Sequence, residues 1–410
     1  MTAPLRCALI GVGTRAKKLY LPILPALAPW IEVVAVCTPN IANAADAGAQ
    51  LGVPSFTRLS ELLDAGLIEA ALVLSSIESH HAVSVTLSRH GIHHLVETTM
   101  ASTYAQASDM VETADGQGIT LLVAENYFRF PFDRLAKAVS ASGAIGEVKR
   151  ITCYHDQVGF HGHARWIKFY DAYPDQVQAL THTMPTARHV ESAHRVHDSE
   201  TFRACHLYFP GDRIAVAMGG NLKGMLGRPP RPGFTEIDGT RGAIVRFAGA
   251  DLDGRAELRI ASDEALMRDG KSDHIAEFVD RIEQATWVSS SVAIPGGKVE
   301  LENSLRPGSI SGKKLREWDA TVVMQIVVEF AEQVRGLRRA QFSTLDALKA
   351  TEIEAACCES ARRGGQRIML AGDAASFETD LATARSLNER FGVDHLDADA
   401  MIAMHFPPAA

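Results

Sequence analysis

The chain has 410 residues, a formal net charge of -8, 46% hydrophobic and 22% charged residues. That length exceeds one ordinary hydrophobic core and predicts two domains with an appended piece, and the acidic balance gives no basic footprint for nucleic acid. No apolar run approaches the roughly 18 residues of a membrane span, and Met1 to Leu5 lead into a strand with no signal-peptide core, so no membrane partner is expected. The six cysteines (Cys7, Cys37, Cys153, Cys205, Cys357, Cys358) show no paired spacing, and Cys7 and Cys37 lie in apolar runs as buried free thiols do. A reducing, cytoplasmic compartment is expected.

From Arg6 to Val123, short apolar runs at Cys7–Ile10, Glu32–Val36, Ala70–Leu74, His94–Val96 and Ile119–Val123 predict strands buried on both faces. Amphipathic stretches such as Ile41–Leu51 and Ala82–His90 alternate with them and close on Gly52 and Gly91, as helices do. This is βαβ patterning. After Pro131 the runs at Lys149–His155, Phe202–Phe209, Arg213–Met218, Ala243–Phe247 and Arg255–Ile260 alternate more, with few helical stretches between, and predict a largely antiparallel open sheet. Trp318, Val322, Ile326, Phe330 and Val334 recur at helical spacing, Ser343 opens a further helix that Gly364 closes, and a polar helical tail runs from Asp373 to Phe406-Pro407-Pro408. The fold class is therefore α/β: a Rossmann-type parallel-sheet domain over 1–125, an α+β domain with a large open sheet over 126–370, and a helical tail over 371–410.

The first strand runs into Gly11-Val12-Gly13-Thr14-Arg15-Ala16, a GxGxxA turn. Gly11 permits the tight turn, Gly13 lets backbone approach a pyrophosphate, and Ala16 allows close helix–strand packing, so that the helix start at Thr14 and Arg15 faces an anion. At the end of the second strand Thr38 stands where a ribose-binding acid is usual. A hydroxyl there neither grips a 2′-OH as a carboxylate does nor repels a 2′-phosphate, so NAD and NADP both remain open as cofactor. Arg15, Lys17 and Lys18 are either 2′-phosphate partners or solvated helix charges. Among sixteen histidines, His155, His161 and His163 flank Trp166, yet Phe160-His161-Gly162-His163 reads as a loop and no cysteine or spaced acid completes a metal signature. With Arg165, Lys168 and Tyr170, that loop reads as substrate-contacting or as polar surface.

These residues, with several further segments, resemble the glucose–fructose oxidoreductase, inositol dehydrogenase and MocA (Gfo/Idh/MocA) family. Ser75-Ser76-Ile77-Glu78-Ser79-His80-His81 is similar to its TPxxxH stretch, with His81 on the histidine, and Glu97-Thr98-Thr99-Met100-Ala101 to its EKPLA segment. Asn126–Pro131, Ser142–Val148 and Ser343–Leu370 resemble the linker into the second domain and the closing helix. The resemblance implies a Rossmann domain, a sheet domain that supports homodimers or homotetramers, and a substrate cleft between them. It places Ser76, His81 and Glu97 at the cofactor, and it maps the catalytic lysine onto Thr98, which hydrogen-bonds but brings no positive charge. The histidine of a GxHxxD-like motif maps onto His182, with Pro185 in place of the acid. The expected activity is an NAD(P)-dependent oxidoreductase on a small polyhydroxylated or amino-substituted metabolite, with His182 as acid/base. Tyr127, His155 and His163 follow as further candidates for proton transfer. The alternatives are a lyase, isomerase or glycosidase using bound nicotinamide transiently, and a catalytically silent nucleotide-binding protein.

Overall fold

The computed structural model describes residues 3–156, 158–192, 195–221, 233–248, 255–283, 286–305 and 317–407. The chain forms two compact units: residues 1–126, 305–355 and 373–410 make the first, and 127–304 with 356–372 the second. The second sequence-derived domain, 126–370, thus gives up 305–355 to the first unit.

In the first unit, β1 (Leu5–Ile10), β2 (Ile31–Cys37), β3 (Ser55–Phe56), β4 (Ala70–Val73), β5 (His93–Val96) and β6 (Leu121–Val123) form a wholly parallel sheet in the order β3-β2-β1-β4-β5-β6. Cys7, Ala8, Leu9 and Ile10 are fully buried, as are Ala70 to Val73, because helices cover both faces. Those helices are α1 (Leu21–Leu27), α2 (Ile41–Leu51), α3 (Leu59–Asp64), α4 (Ile77–Arg89) and α5 (Tyr104–Gly116). Asn40 caps α2 by accepting from the Asn43 amide at 2.9 Å, and Gly52 ends it at φ 69°.

The second unit holds α6 (Pro131–Ala141), β7 (Val148–Tyr154), α7 (Phe160–Tyr170), β8 (Gln176–Ser192), β9 (Arg195–Phe209), β10 (Arg213–Gly220), β11 (Gly233–Gly239), β12 (Gly242–Ala248), β13 (Ala256–Ile260), α8 (Asp263–Arg268) and β14 (His274–Glu277). With β18 (Ile368–Met369) the strands order as β14-β13-β12-β11-β7-β10-β9-β8-β18, antiparallel except where β7 meets β10. A second sheet of β15 (Val279–Glu283), β16 (Thr286–Ile294) and β17 (Gly297–Glu302) went unanticipated by the sequence pattern. Side chains alternate across the large sheet. Ile151, Cys153, Cys205, Leu207, Ala215, Ala217, Ile237 and Ile244 are buried on the face that α6 and α7 cover. Leu180, Met184 and Phe247 stand exposed on the other face.

The expected loop at Phe160-His161-Gly162-His163 is instead the first turn of α7. Gly159 at φ 102° turns the chain into the helix, and Phe160, His163, Ala164, Ile167 and Tyr170 are buried at helical spacing. Gly162 concealed that periodicity. From Phe160 to Tyr170 the chain is therefore helical rather than loop.

The first unit is completed by α9 (Glu317–Val334), the first part of α10 (Thr344–Arg362), α11 (Glu378–Phe391) and α12 (Ala398–His405). Helix α9 packs on α1 and β5, and just beyond it Arg335 holds the Glu69 carboxylate at 2.7 Å. This packing is why 305–355 returns to the first unit. In the tail, the Asp380 carboxylate accepts from the Tyr104 amide at 2.8 Å and the Ala105 amide at 3.4 Å, neutralising the start of α5, while α12 lies on α4.

The Rossmann core also encloses His94, whose Nδ1 lies 3.0 Å from the Ile92 carbonyl and whose Nε2 lies 2.6 Å from the Ser84 hydroxyl. Burial lowers its pKa from the usual 6.5 to about 4. The neutral imidazole therefore costs nothing above the unfolded pKa, and stability falls as pH drops below it, because only the unfolded chain takes the proton. Denaturant unfolding at about pH 5 should show about 2 kcal/mol less stability from this group than at about pH 7. His94→Gln should have a correspondingly weaker pH dependence; an unchanged slope would assign the acid sensitivity elsewhere.

Candidate cofactor and active site

Strand β1 ends at Ile10, and the Gly11 amide donates to the Cys37 carbonyl at 2.8 Å, which turns the chain over the end of β2. Gly11 has φ 89°, and a Cβ there would sit 2.5 Å from the Ser75 backbone nitrogen. Only glycine fits. Gly13 is different, because a Cβ there would meet nothing within 4 Å. Protein packing does not demand glycine at 13, so the clearance is available to a ligand. The site lies where strand order reverses between β1 and β4, the crevice in which open α/β sheets take their ligands.

The helix after this turn begins as a π-helical segment, Ala16–Tyr20, with the Leu21 amide bonding to the Ala16 carbonyl. Residues five apart lie about 140° from each other around an ordinary helix, and the wider turn brings them into line. Arg15 and Tyr20 consequently converge on one carboxylate. Glu97 Oε1 accepts from Arg15 Nε at 2.8 Å and from the Tyr20 hydroxyl at 2.7 Å, while Oε2 accepts from the Thr98 amide at 3.0 Å. Burial, followed by the charge of Glu97, pushes the Tyr20 phenol well above its usual range. Thr98 thus sits beside Glu97, and its peptide bond to Thr99 is cis.

Ser76 stands at the N-cap position of α4 without a side-chain cap bond, and the Ser79 hydroxyl donates to its carbonyl at 2.8 Å. His80 and His81 part company here. The His80 ring lies 3.0 Å from the Thr99 carbonyl and 3.1 Å from that of Ser75, tying together the segments after β4 and β5. Burial lowers the His80 pKa, with those carbonyls opposing it. His81, expected at the cofactor, points instead toward α5 and meets Asp109 at 2.6 Å. Thr38 is buried at the end of β2, its amide bonded to the Phe56 carbonyl, and Lys17 is held by Asn43 at 2.6 Å.

In the second unit the sequence candidates divide. The Tyr127 and His161 rings are 4.4 Å apart, both half-buried. His155 follows β7 at φ 48°, its amide bonded to the Met218 carbonyl. His163 is buried, with Arg203 Nη2 at 3.4 Å from its Nε2. Arg165 is wholly buried: its Nε bonds Asp133 at 2.8 Å and its Nη1 the Asp156 carbonyl at 3.2 Å. Asp156 also accepts from Arg246 and the Thr235 hydroxyl, each at 2.6 Å. Burial alone would raise the Asp156 pKa, but Arg165 and Arg246 hold it at about 2. Arg165 therefore anchors α7 to the sheet rather than presenting its guanidinium to solvent, whereas Lys168 is half-buried near the end of α7.

His182 is exposed on β8, opposite Phe202. The next residue along β9, Arg203, points to the other face, where it meets His163 of α7. The expected acid/base and the expected substrate contacts of α7 thus lie on opposite faces of one sheet. Among the described residues no group of three or more His, Cys, Asp or Glu is arranged to hold a metal ion. Sequence reading overlooked Tyr20, His80 and Asp156. Tyr20 at five residues from Arg15 looks out of register, and nothing in adjacent His80-His81 says which ring turns inward.

Residues 5–125 match the family described as "Oxidoreductase family, NAD-binding Rossmann fold", GFO_IDH_MocA. An uncharacterized oxidoreductase of Schizosaccharomyces pombe is 29% identical over 168 residues, 40% of this chain and 45% of that protein, and a second from the same yeast is 28% identical over 158 residues, 38% and 42% respectively. The chain thus matches less than half the length of these relatives. An oxidoreductase from Agrobacterium radiobacter, in complex with NAD+, L-tartaric acid and magnesium, superposes with a TM-score of 0.66 at 17% identity, over 91% of this chain and 100% of that one. Levoglucosan dehydrogenase, in complex with NADH and levoglucosan, gives 0.62 at 17% identity over 90% and 100%. These likenesses establish the fold. Residues 5–125, with the glycine turn at the β1/β4 switch point, thus match the NAD-binding Rossmann fold of the Gfo/Idh/MocA oxidoreductases.

Proposed function

We propose that the chain is an NAD-dependent oxidoreductase acting on a small polyhydroxylated or amino-substituted metabolite in the cytoplasm. The observation that carries the reading is the pair of glycines at the switch point, Gly11 required by the fold and Gly13 leaving clearance for a pyrophosphate. Bound nicotinamide supplies hydride exchange. The helix start at Thr14 lies at the end of β1, where the positive end of a helix suits phosphate oxygens. NAD is favoured over NADP because Arg15 is engaged by Glu97 and Lys17 by Asn43, which removes two of three cations suited to a 2′-phosphate. The free cysteines, five of them buried, support a reducing compartment.

Proton transfer was expected of His182. Its solvent exposure, on the sheet face away from α7, supports giving the role to the half-buried Tyr127–His161 pair instead. An imidazole against a phenol can relay a proton to a bound substrate. The sheet face on which Leu180, Met184 and Phe247 are exposed supports a second copy of the chain as its partner.

Three measurements test these readings. Calorimetry should show NAD+ binding more tightly than NADP+, and Gly13→Val should weaken NAD+ by at least about tenfold without lowering the melting temperature; undiminished binding would refute the site. In single-turnover assays with candidate polyols, His161→Ala should lose roughly a hundred- to ten-thousand-fold in rate and His182→Ala should lose little; the reverse pattern returns the role to β8. Sedimentation at low micromolar concentration should show a dimer or tetramer, which Met184→Asp dissociates; a monomeric wild type would remove the face-to-face assembly.

A further inference from the structure

The Arg15–Glu97 pair lies across the end of β4. Arg15 belongs to the turn after β1 and Glu97 follows β5, and β4 runs between those two strands. The ion pair therefore spans two strand spacings, roughly 10 Å, at the mouth of the crevice. In a sheet of this order the adenosine half of a dinucleotide lies toward β2, where the ribose-binding position is, and the nicotinamide half lies toward β4 and β5. We infer that Arg15 and Glu97 are an opposed charge pair beside the nicotinamide ring and set the relative affinity of the protein for the oxidised and reduced cofactor. The inference rests on the dinucleotide-binding reading of the same site.

The oxidised nicotinamide ring carries one positive charge, and the reduced ring none. A carboxylate next to the ring favours the oxidised form, and a guanidinium favours the reduced one. Paired, the two nearly cancel. Removing Arg15 leaves the Glu97 carboxylate uncompensated, and removing Glu97 shifts the local balance toward the guanidinium; a net change of one charge in a partly buried setting changes the affinity ratio by about tenfold. Glu97 stays in place without Arg15, because the Tyr20 hydroxyl and the Thr98 amide still hold its two oxygens. Glu97 is 6% exposed while the Arg15 side chain is 42% exposed, so water screens the guanidinium more than the carboxylate, and the larger shift is expected from removing Arg15.

The test is equilibrium titration of the full chain with NAD+, NADH and ADP-ribose. Arg15→Gln should raise the ratio Kd(NADH)/Kd(NAD+) by about tenfold, Glu97→Gln should lower it by a smaller factor, and Arg15→Lys and the double Arg15→Gln/Glu97→Gln variant should stay near wild type. A role confined to folding would move all three ligands together and would not produce opposite signs. ADP-ribose, which lacks the ring, separates the two ways of being wrong. Failure of wild-type protein to bind ADP-ribose would overturn the dinucleotide site itself. Normal ADP-ribose binding, with ratios that do not move or that move in the same direction in both single variants, would overturn the charge pair alone.

Discussion

Between Gly11 and the backbone of Ser75 there is no room for a methyl group. That contact locks the segment after β1 against the segment after β4, and the rest of the first unit is arranged about it. The Gly11 amide is committed to β2 and the Leu74 amide to the Ile10 carbonyl, so three neighbouring strands share one knot of backbone at their carboxyl ends. From the fixed turn the chain enters a widened helix, and the widening lets Arg15 and Tyr20 reach Glu97 together. His80 then ties the Ser75 and Thr99 carbonyls. The crevice is consequently bordered by backbone with few degrees of freedom, a condition for holding a ligand without reorganisation.

The second unit is ordered by a different constraint. Asp156 and Arg165, both buried, and Asp133 and Arg246, both half-buried, meet where α6 and α7 approach the large sheet, and they compensate one another. Asp156 takes its contacts from Arg165 of α7, Thr235 of β11, Arg246 of β12 and Cys153 of β7, so the exit from β7 and the entry to α7 have one arrangement. Removing one member of such a set leaves an uncompensated buried charge, which is far more damaging than losing a surface pair. Arg165 is therefore a fastening of α7 and not a hand extended to a substrate.

The Rossmann half was legible because its physics is local. Continuous apolar runs, glycines after helices and the GxGxxA turn each follow from short-range rules, and the strands appear where those rules put them, with boundaries shifted by a few residues; α4 opens at Ile77, ahead of the amphipathic stretch from Ala82. The sheet half was legible as a class, since alternation marks strands, yet β8, β11, β14 to β17 and α7 escaped. In α7 Gly162 interrupts the pattern, and the apolar contacts that hold the helix come from strands distant in sequence. Site residues were hardest. His81 and His80 differ by one position and 100° of helix, and a motif alignment that placed His182 could not see that it falls on an exposed strand face.

The tail places its own demand on biosynthesis. Asp380 neutralises the start of α5 and α12 covers α4, so elements from residues 77 to 116 receive their last partners from residues 378 to 405. Translation delivers the chain in order, and the entire second unit emerges in between. The nucleotide-binding half must therefore wait on the ribosome with one flank bare while its neighbour folds. A chain released early would keep the glycine turn but expose that flank, the condition under which chaperones and proteases sort nascent proteins.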